Sequence, residues 1–241
     1  MLRSSFITFL ILAAAVHATA ADAHEPWLRS FYRTHDLRPF AGYWTEVMEQ
    51  RVLEQPGQVE PTVGFVSQLL RQNPSLVRTH LVALSAYPLA QREAMARILA
   101  LSDTPEGRTR LREAGRTALA NRTPRPIAQH RIQEATDLDF CWGWFFATGD
   151  LSALDPIVAT LDLAGFAGGR ERYATSGKTA NDRIAARNDS LYEAATRSLT
   201  ANTRADPFIA RHLESILRDP RTPPARAAEL AEILRTAKTK S

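Results

Sequence analysis

Apolar positions along this chain recur every three or four residues, which is the spacing of one helical face. Ile209, Leu213, Ile216 and Leu217 line one side of the stretch 207–217, with Asp206 placed to cap it and Pro207 suited to its first turn. Pro223-Pro224 opens a final helix whose stripe is Ala227, Leu230, Ala231 and Leu234. Thr104-Pro105 starts another, with Leu111, Ala114, Gly115, Ala118 and Leu119 on one face, small enough for a neighbouring helix to approach closely. The same periodicity predicts helices near 40–54, 61–72, 75–87, 89–102, 125–147, 151–164 and 180–203. No stretch alternates with period two and β-branched enrichment, so strands are not expected. The linkers are mostly short, which favours antiparallel neighbours. The fold class is therefore all-α: an array of antiparallel helical hairpins, solenoid-like, with about ten helices. No fixed repeat period can be demonstrated.

One connection is longer. Ala164 to Asp182 carries four glycines and reads as a mobile, Gly-rich loop. It contains Ser176-Gly177-Lys178-Thr179, but Arg172 stands where a phosphate-binding loop needs glycine, and no strand precedes it.

The segment Phe140 to Phe146, "FCWGWFF", points apolar side chains in every direction when wound on a helix. A helix that is hydrophobic all round is buried all round, so this stretch is expected in the core rather than in an aromatic pocket. Thr148-Gly149-Asp150 then reads as turn chemistry, with Gly149 as a left-handed C-terminal residue and Asp150 as the next N-cap. His130, Glu134, Asp137 and Cys141 follow at spacings of four, three and four, within about 60° of one helical face. A histidine beside two carboxylates suits general acid–base work or a metal, which makes His130, Glu134 and Asp137 the candidate catalytic residues.

The first residues carry an early Arg3, an apolar run from Phe6 to Val16, and two A-x-A sites ending at Ala20 and Ala23. This is the pattern of a cleavable secretory signal peptide over residues 1–23, followed by a single helical domain over 24–241. Export implies a periplasmic or secreted protein. With one cysteine, Cys141, the chain forms no intramolecular disulfide. Cleavage after Ala23 would leave His24 first, an arrangement that chelates copper on β-sandwich proteins, whereas this chain is helical.

The formal charge is +4, and lysine stands only at 178, 238 and 240, so the basic isoelectric point comes from arginine. The arginines are scattered along the whole length, as on a solvated surface, and no nucleic-acid role is expected. Arg108, Arg112 and Arg116 form one row at i, i+4, i+8 and are candidates for an anionic partner. The N-terminal aromatics Trp27, Phe31, Tyr32 and Trp44 are candidates for a docking surface, or else a cap on the main body. No G-x-S-x-G, S-x-x-K or H-E-x-x-H is present.

The segments "FFATGDLSALDPIVATL" and "AATRSLTANTRADPFIARHLESI" together resemble a pattern in uncharacterised exported helical proteins of bacteria. The residues that carry it are Phe145 to Asp150, Ser198, Leu199 and Asn202. The resemblance implies export and an all-α fold, and no activity. The chain is thus expected to be an exported helical protein that binds another protein, with no cofactor and no stable membrane insertion. The alternative is a periplasmic enzyme or metal-binding protein that uses the His130 stripe.

Overall fold

The computed structural model describes residues 20–175 and 179–239. The leader expected over residues 1–23 lies outside them as far as residue 19, and so does most of the Ser176–Thr179 motif. The described residues are all-α, as the periodicity requires, and hold no strand. The helices are α1 (Ala20–Thr34), α2 (Phe40–Glu49), α3 (Val59–Gln72), α4 (Ser75–His80), α5 (Leu89–Ser102), α6 (Pro105–Glu113) and α7 (Thr117–Ala120). They continue with α8 (Ala135–Thr148), α9 (Asp155–Ala159), α10 (Gly169–Thr175), α11 (Ala180–Ala205), α12 (Pro207–Arg218) and α13 (Pro224–Lys238). Five short 3-10 turns join them.

The centre of the molecule is a crossing of α3 and α8. In α3 every residue from Thr62 to Leu70 is buried, and in α8 Phe140 to Phe145 are buried. Two glycines bring the backbones together. A Cβ on Gly143 would stand 2.2 Å from the Pro61 carbonyl oxygen, and one on Gly64 would stand 2.4 Å from that of Phe140. No side chain fits either gap. The most extensive pairing in the fold thus joins helices distant in sequence, rather than the two arms of a consecutive hairpin. On one side α5 packs on α3 and carries α6; on the other α11 lies beside α8 and carries α12 and α13. Helix α1 lies over α8.

The aromatic stretch is therefore core, as its all-round apolarity requires. The turn chemistry also holds. Gly149 caps α8 at φ +68°, and Asp150 accepts the Ser152 amide at 2.9 Å. Asp206 accepts the Phe208 amide at 2.9 Å at the start of α12, with Pro207 in its first turn.

Several boundaries differ from expectation. The helix begun at Thr104-Pro105 stops at Glu113, because Gly115 turns left-handed at φ +73°. Ala114, Gly115 and Ala118 are consequently exposed and receive no neighbouring helix. Residues 125–134 form no α-helix, only the 3-10 turn Ile127–Gln129. Pro124 and Pro126 force extended backbone, and Glu134 is the N-cap of a helix that begins only at Ala135. The stretch 151–164 is a short α-helix between two 3-10 turns. The segment 164–182, expected as a loop, contains α10, whose Arg170 amide is held by the buried Asp189 carboxylate of α11 at 3.0 Å.

No single helix among the described residues is long and apolar enough to cross a membrane. The bent pair Leu151–Phe166 and Gly169–Thr175 passes on length and composition alone, and its Leu154, Ile157 and Leu161 are core residues.

Candidate functional site

The N-terminal aromatics, candidates for a docking surface or else a cap on the main body, are mostly inside the protein, as a cap requires. Phe31 and Trp44 are fully packed. Trp27 is half-buried, sets its ring edge-on to Phe31 and Phe65, and donates Nε1–H to the Asp36 carbonyl at 2.7 Å. Tyr32 packs on Phe145 and Phe208 and donates its hydroxyl to buried Asp206 at 2.6 Å. This segment is the clamp that closes α1 on α8 and α12. The strongly exposed large hydrophobics among the described residues are Val82, Leu89 and Ile184, none of them in that segment. His24 packs against Trp27 and Tyr43, with Nε2 3.4 Å from Glu46 Oε2.

The arginine row is also broken. Arg108 pairs with Asp103, and Arg112 is exposed near the end of α6. Arg116 lies beyond that helix and pairs with Glu93 at 3.0 Å. The three do not converge.

Of the candidate stripe His130, Glu134 and Asp137, the fold brings only His130 and Asp137 together, by a different geometry. His130 sits in the extended segment before α8, not on its face. Its ring lies on Phe140 with centroids 4.8 Å apart, and its Nε2 is 3.4 Å from Asp137 Oδ1. Asp137 is fixed by the backbone just before its helix, since Oδ2 accepts the amides of Gln133 at 2.7 Å and Glu134 at 3.0 Å. Glu134 is exposed and serves as N-cap, not as a partner of His130. Cys141 is sealed in the core. Burial first, and the Asp137 charge second, push its thiol up to about 12, so it is neither a thiolate nor a ligand. Among the described residues no three His, Cys, Asp or Glu side chains are grouped to hold a metal.

His130 belongs instead to the wall of a cleft of about 470 Å3. Phe140 and Trp144 of α8 contribute aromatic lining, and Ala100 and Leu101 of α5 add an aliphatic wall. The remaining wall is the proline-stiffened segment 122–133, anchored by buried Ile127. Arg97, Arg122, Arg125 and Arg131 point basic groups at this space, and no carboxylate lines it. Arg97 is held by both Glu60 oxygens, at 2.6 and 2.5 Å. The side chains of Arg122, Arg125 and Arg131 have no ion pair or hydrogen bond among the described residues. His130 Nε2 is enclosed toward Asp137, which leaves Nδ1 as the open ring nitrogen.

No protein family, characterised protein or solved structure matches this chain.

Sequence reasoning missed the cleft because it counted arginines over the whole chain. The local signal is plain: between Glu113 and Glu134 there is no acidic residue, while Arg116, Arg122, Arg125, His130 and Arg131 all fall there. The paired prolines in the same segment hold its backbone out of a helix, so those side chains spread along a wall instead of around a cylinder.

Proposed function

We propose that this chain acts by binding, and that its ligand is an organic anion with a flat apolar portion, taken into the arginine cleft. The observation that carries this reading is the set of three unpaired arginines around an aromatic-lined space that no carboxylate enters. Guanidinium groups match carboxylate and phosphate geometry, and the apolar walls concentrate their field. The expectation of a binding protein is retained, with the surface moved from the buried N-terminal aromatics to the cleft. The anion belongs either to a free small molecule or to an acidic side chain on a partner protein.

The test is calorimetric titration of the full chain with benzyl phosphate, with neutral benzyl alcohol, and with a short peptide of alternating Glu and Phe. Binding of benzyl phosphate that weakens with added salt supports the proposal, and stronger binding by the peptide assigns the anion to a protein partner. The triple variant Arg122→Gln, Arg125→Gln, Arg131→Gln, all at exposed positions, is expected to lose about tenfold or more in affinity. Equal binding of phosphate and alcohol refutes it.

One observation favours a second reading, that of an enzyme. The Asp137–His130 contact at 3.4 Å is the arrangement in which a carboxylate orients an imidazole for proton transfer, and such contacts are often long before substrate binds. Arginines would then hold an anionic substrate while His130 moves a proton at Nδ1. This reading expects His130→Gln to abolish turnover of p-nitrophenyl phosphate while leaving its binding within about threefold. Unchanged ligand after prolonged incubation excludes it for that substrate.

A further inference from the structure

A second cavity, of about 190 Å3, opens on the other side of the α3–α8 crossing. Its walls are aromatic and aliphatic: Tyr43 and Val47 from α2, Phe65 from α3, Trp142 and Phe146 from α8, and Leu28 from α1. One carboxylate lines it, that of Asp139, and no cationic side chain does. Asp139 makes no hydrogen bond or ion pair with any described residue. The Arg29 guanidinium, behind the Phe146 ring, does not line the cavity and is committed elsewhere. It lies 5.6 Å over the Phe146 ring, is tied to Glu25 at 2.7 Å and reaches Asn202 at 2.8 Å.

A half-buried carboxylate with no partner is costly to the fold, and such groups are ordinarily paired. Here the unpaired charge stands in a wall of aromatic rings. A ring presents the negative face of its quadrupole to a cation, and the attraction grows once water is excluded. Rings and carboxylate therefore favour the same ligand charge, while the aliphatic residues favour an apolar body. Neutral or anionic ligands gain the apolar contact alone, and an anion is repelled by Asp139. Thr62 and Gln58, also on the wall, add hydrogen-bonding groups without charge.

We propose that this cavity is a binding site for a small organic ammonium, an amine carried on an apolar or aromatic body, whose cationic head meets Asp139 beside the stacked rings of Trp142 and Phe146. The site is separate from the arginine cleft and selects the opposite charge, so either site stands or falls alone.

The experiment is titration of the full chain with 2-phenylethylamine and with its near-isosteric neutral partner, 2-phenylethanol, followed by calorimetry and by tryptophan fluorescence, since Trp142 is in the wall. The amine is expected to bind about tenfold more tightly than the alcohol. Asp139→Asn should bring the two to equal affinity, and Asp139→Glu should restore the preference. The apolar wall is untouched in both variants, so binding of the alcohol reports that the cavity is intact. Equal binding of amine and alcohol by the natural chain overturns the proposal. So does failure of both to bind at millimolar concentration, and so does a preference that survives in Asp139→Asn.

Discussion

Asp139 gives the sharpest test of the energetics. Burial, reinforced by the charge of Glu60, pushes its carboxyl up to about 6 from an ordinary value of 3.8. The folded state therefore holds this proton over a pH range in which the unfolded chain has released it. Stability from this group is greatest below pH 4, declines as pH rises from about 4 to about 6, and stays low above that. Each tenfold difference in proton affinity is worth 1.36 kcal/mol, so the ionised side chain costs the fold about 2–3 kcal/mol at neutral pH. Asp139→Asn removes the charge and nearly keeps the shape. It is expected to stabilise the protein by about 2–3 kcal/mol at pH 7.5, which for a chain of this size raises Tm by about 5–10 °C. At pH 4 the difference should shrink to about 0.5 kcal/mol, because Asp139 is then protonated in the folded state and nearly half protonated in the unfolded one. Urea denaturation followed by circular dichroism, run on both proteins at both pH values, measures the two differences directly. A variant that is destabilised at pH 7.5, or stabilised equally at both pH values, refutes the reasoning.

Other outcomes follow from the packing. Gly64→Ala and Gly143→Ala each place a methyl group against backbone at the α3–α8 crossing and should destabilise by about 1–3 kcal/mol or more, measured by urea denaturation. Tyr32→Phe strips a donor from buried Asp206 and should cost about 1–2 kcal/mol in the same assay. The Cys141 thiol should resist Ellman's reagent at pH 8 in the folded chain and react stoichiometrically in denaturant; prompt labelling of the native protein would place it outside the core. Glu60→Gln should lower the Asp139 titration seen by carbon-13 NMR only part of the way, since burial is the larger cause of its shift.

Local signals carried much of the fold. The bounds of α5 follow from periodicity and the Asp206-Pro207 start of α12 from its cap, because those features act within a few residues. The same is true of the Gly149 terminus. The failure at 125–134 was also a local matter. Two prolines and an N-cap sequence, Glu134 to Asp137, outweighed an apolar period that continued through them. Gly115 ended α6 for a comparable reason. What no local rule contains is which helix meets which. Trp142 and Phe146 read as core, and they are largely buried, yet with Asp139 they also form a wall whose other members come from α1, α2 and α3. His130 and Asp137 were picked for a shared helical face that does not exist. They meet because Asp137 bonds to the backbone just after His130 and so folds that segment back against its own helix.

The two sites are built by one helix turned two ways. Asp139, Trp142, Gly143 and Phe146 fall at i, i+3, i+4 and i+7 and line the apolar cavity, while Phe140 and Trp144, at i and i+4, line the arginine cleft. Between them runs α3, close enough for a single side chain to act on both. Glu60 binds Arg97 of the cleft with both oxygens, and its field adds to the burial of Asp139. Its two effects have opposite character. Toward the cleft it neutralises one guanidinium, with Glu93 and Asp137 adding to the negative field on Arg97, and so leaves Arg122, Arg125 and Arg131 as the guanidiniums there without an ion pair. Toward the cavity it makes the ionised form of Asp139 dearer and thereby sharpens the demand for a cation there. A ligand anion in the cleft would act on Asp139 with the same sign as Glu60, and an ammonium in the cavity would offset both. The charges proposed for the two ligands are therefore mutually favourable across α8, a coupling that salt would weaken to the extent that water reaches the path between them.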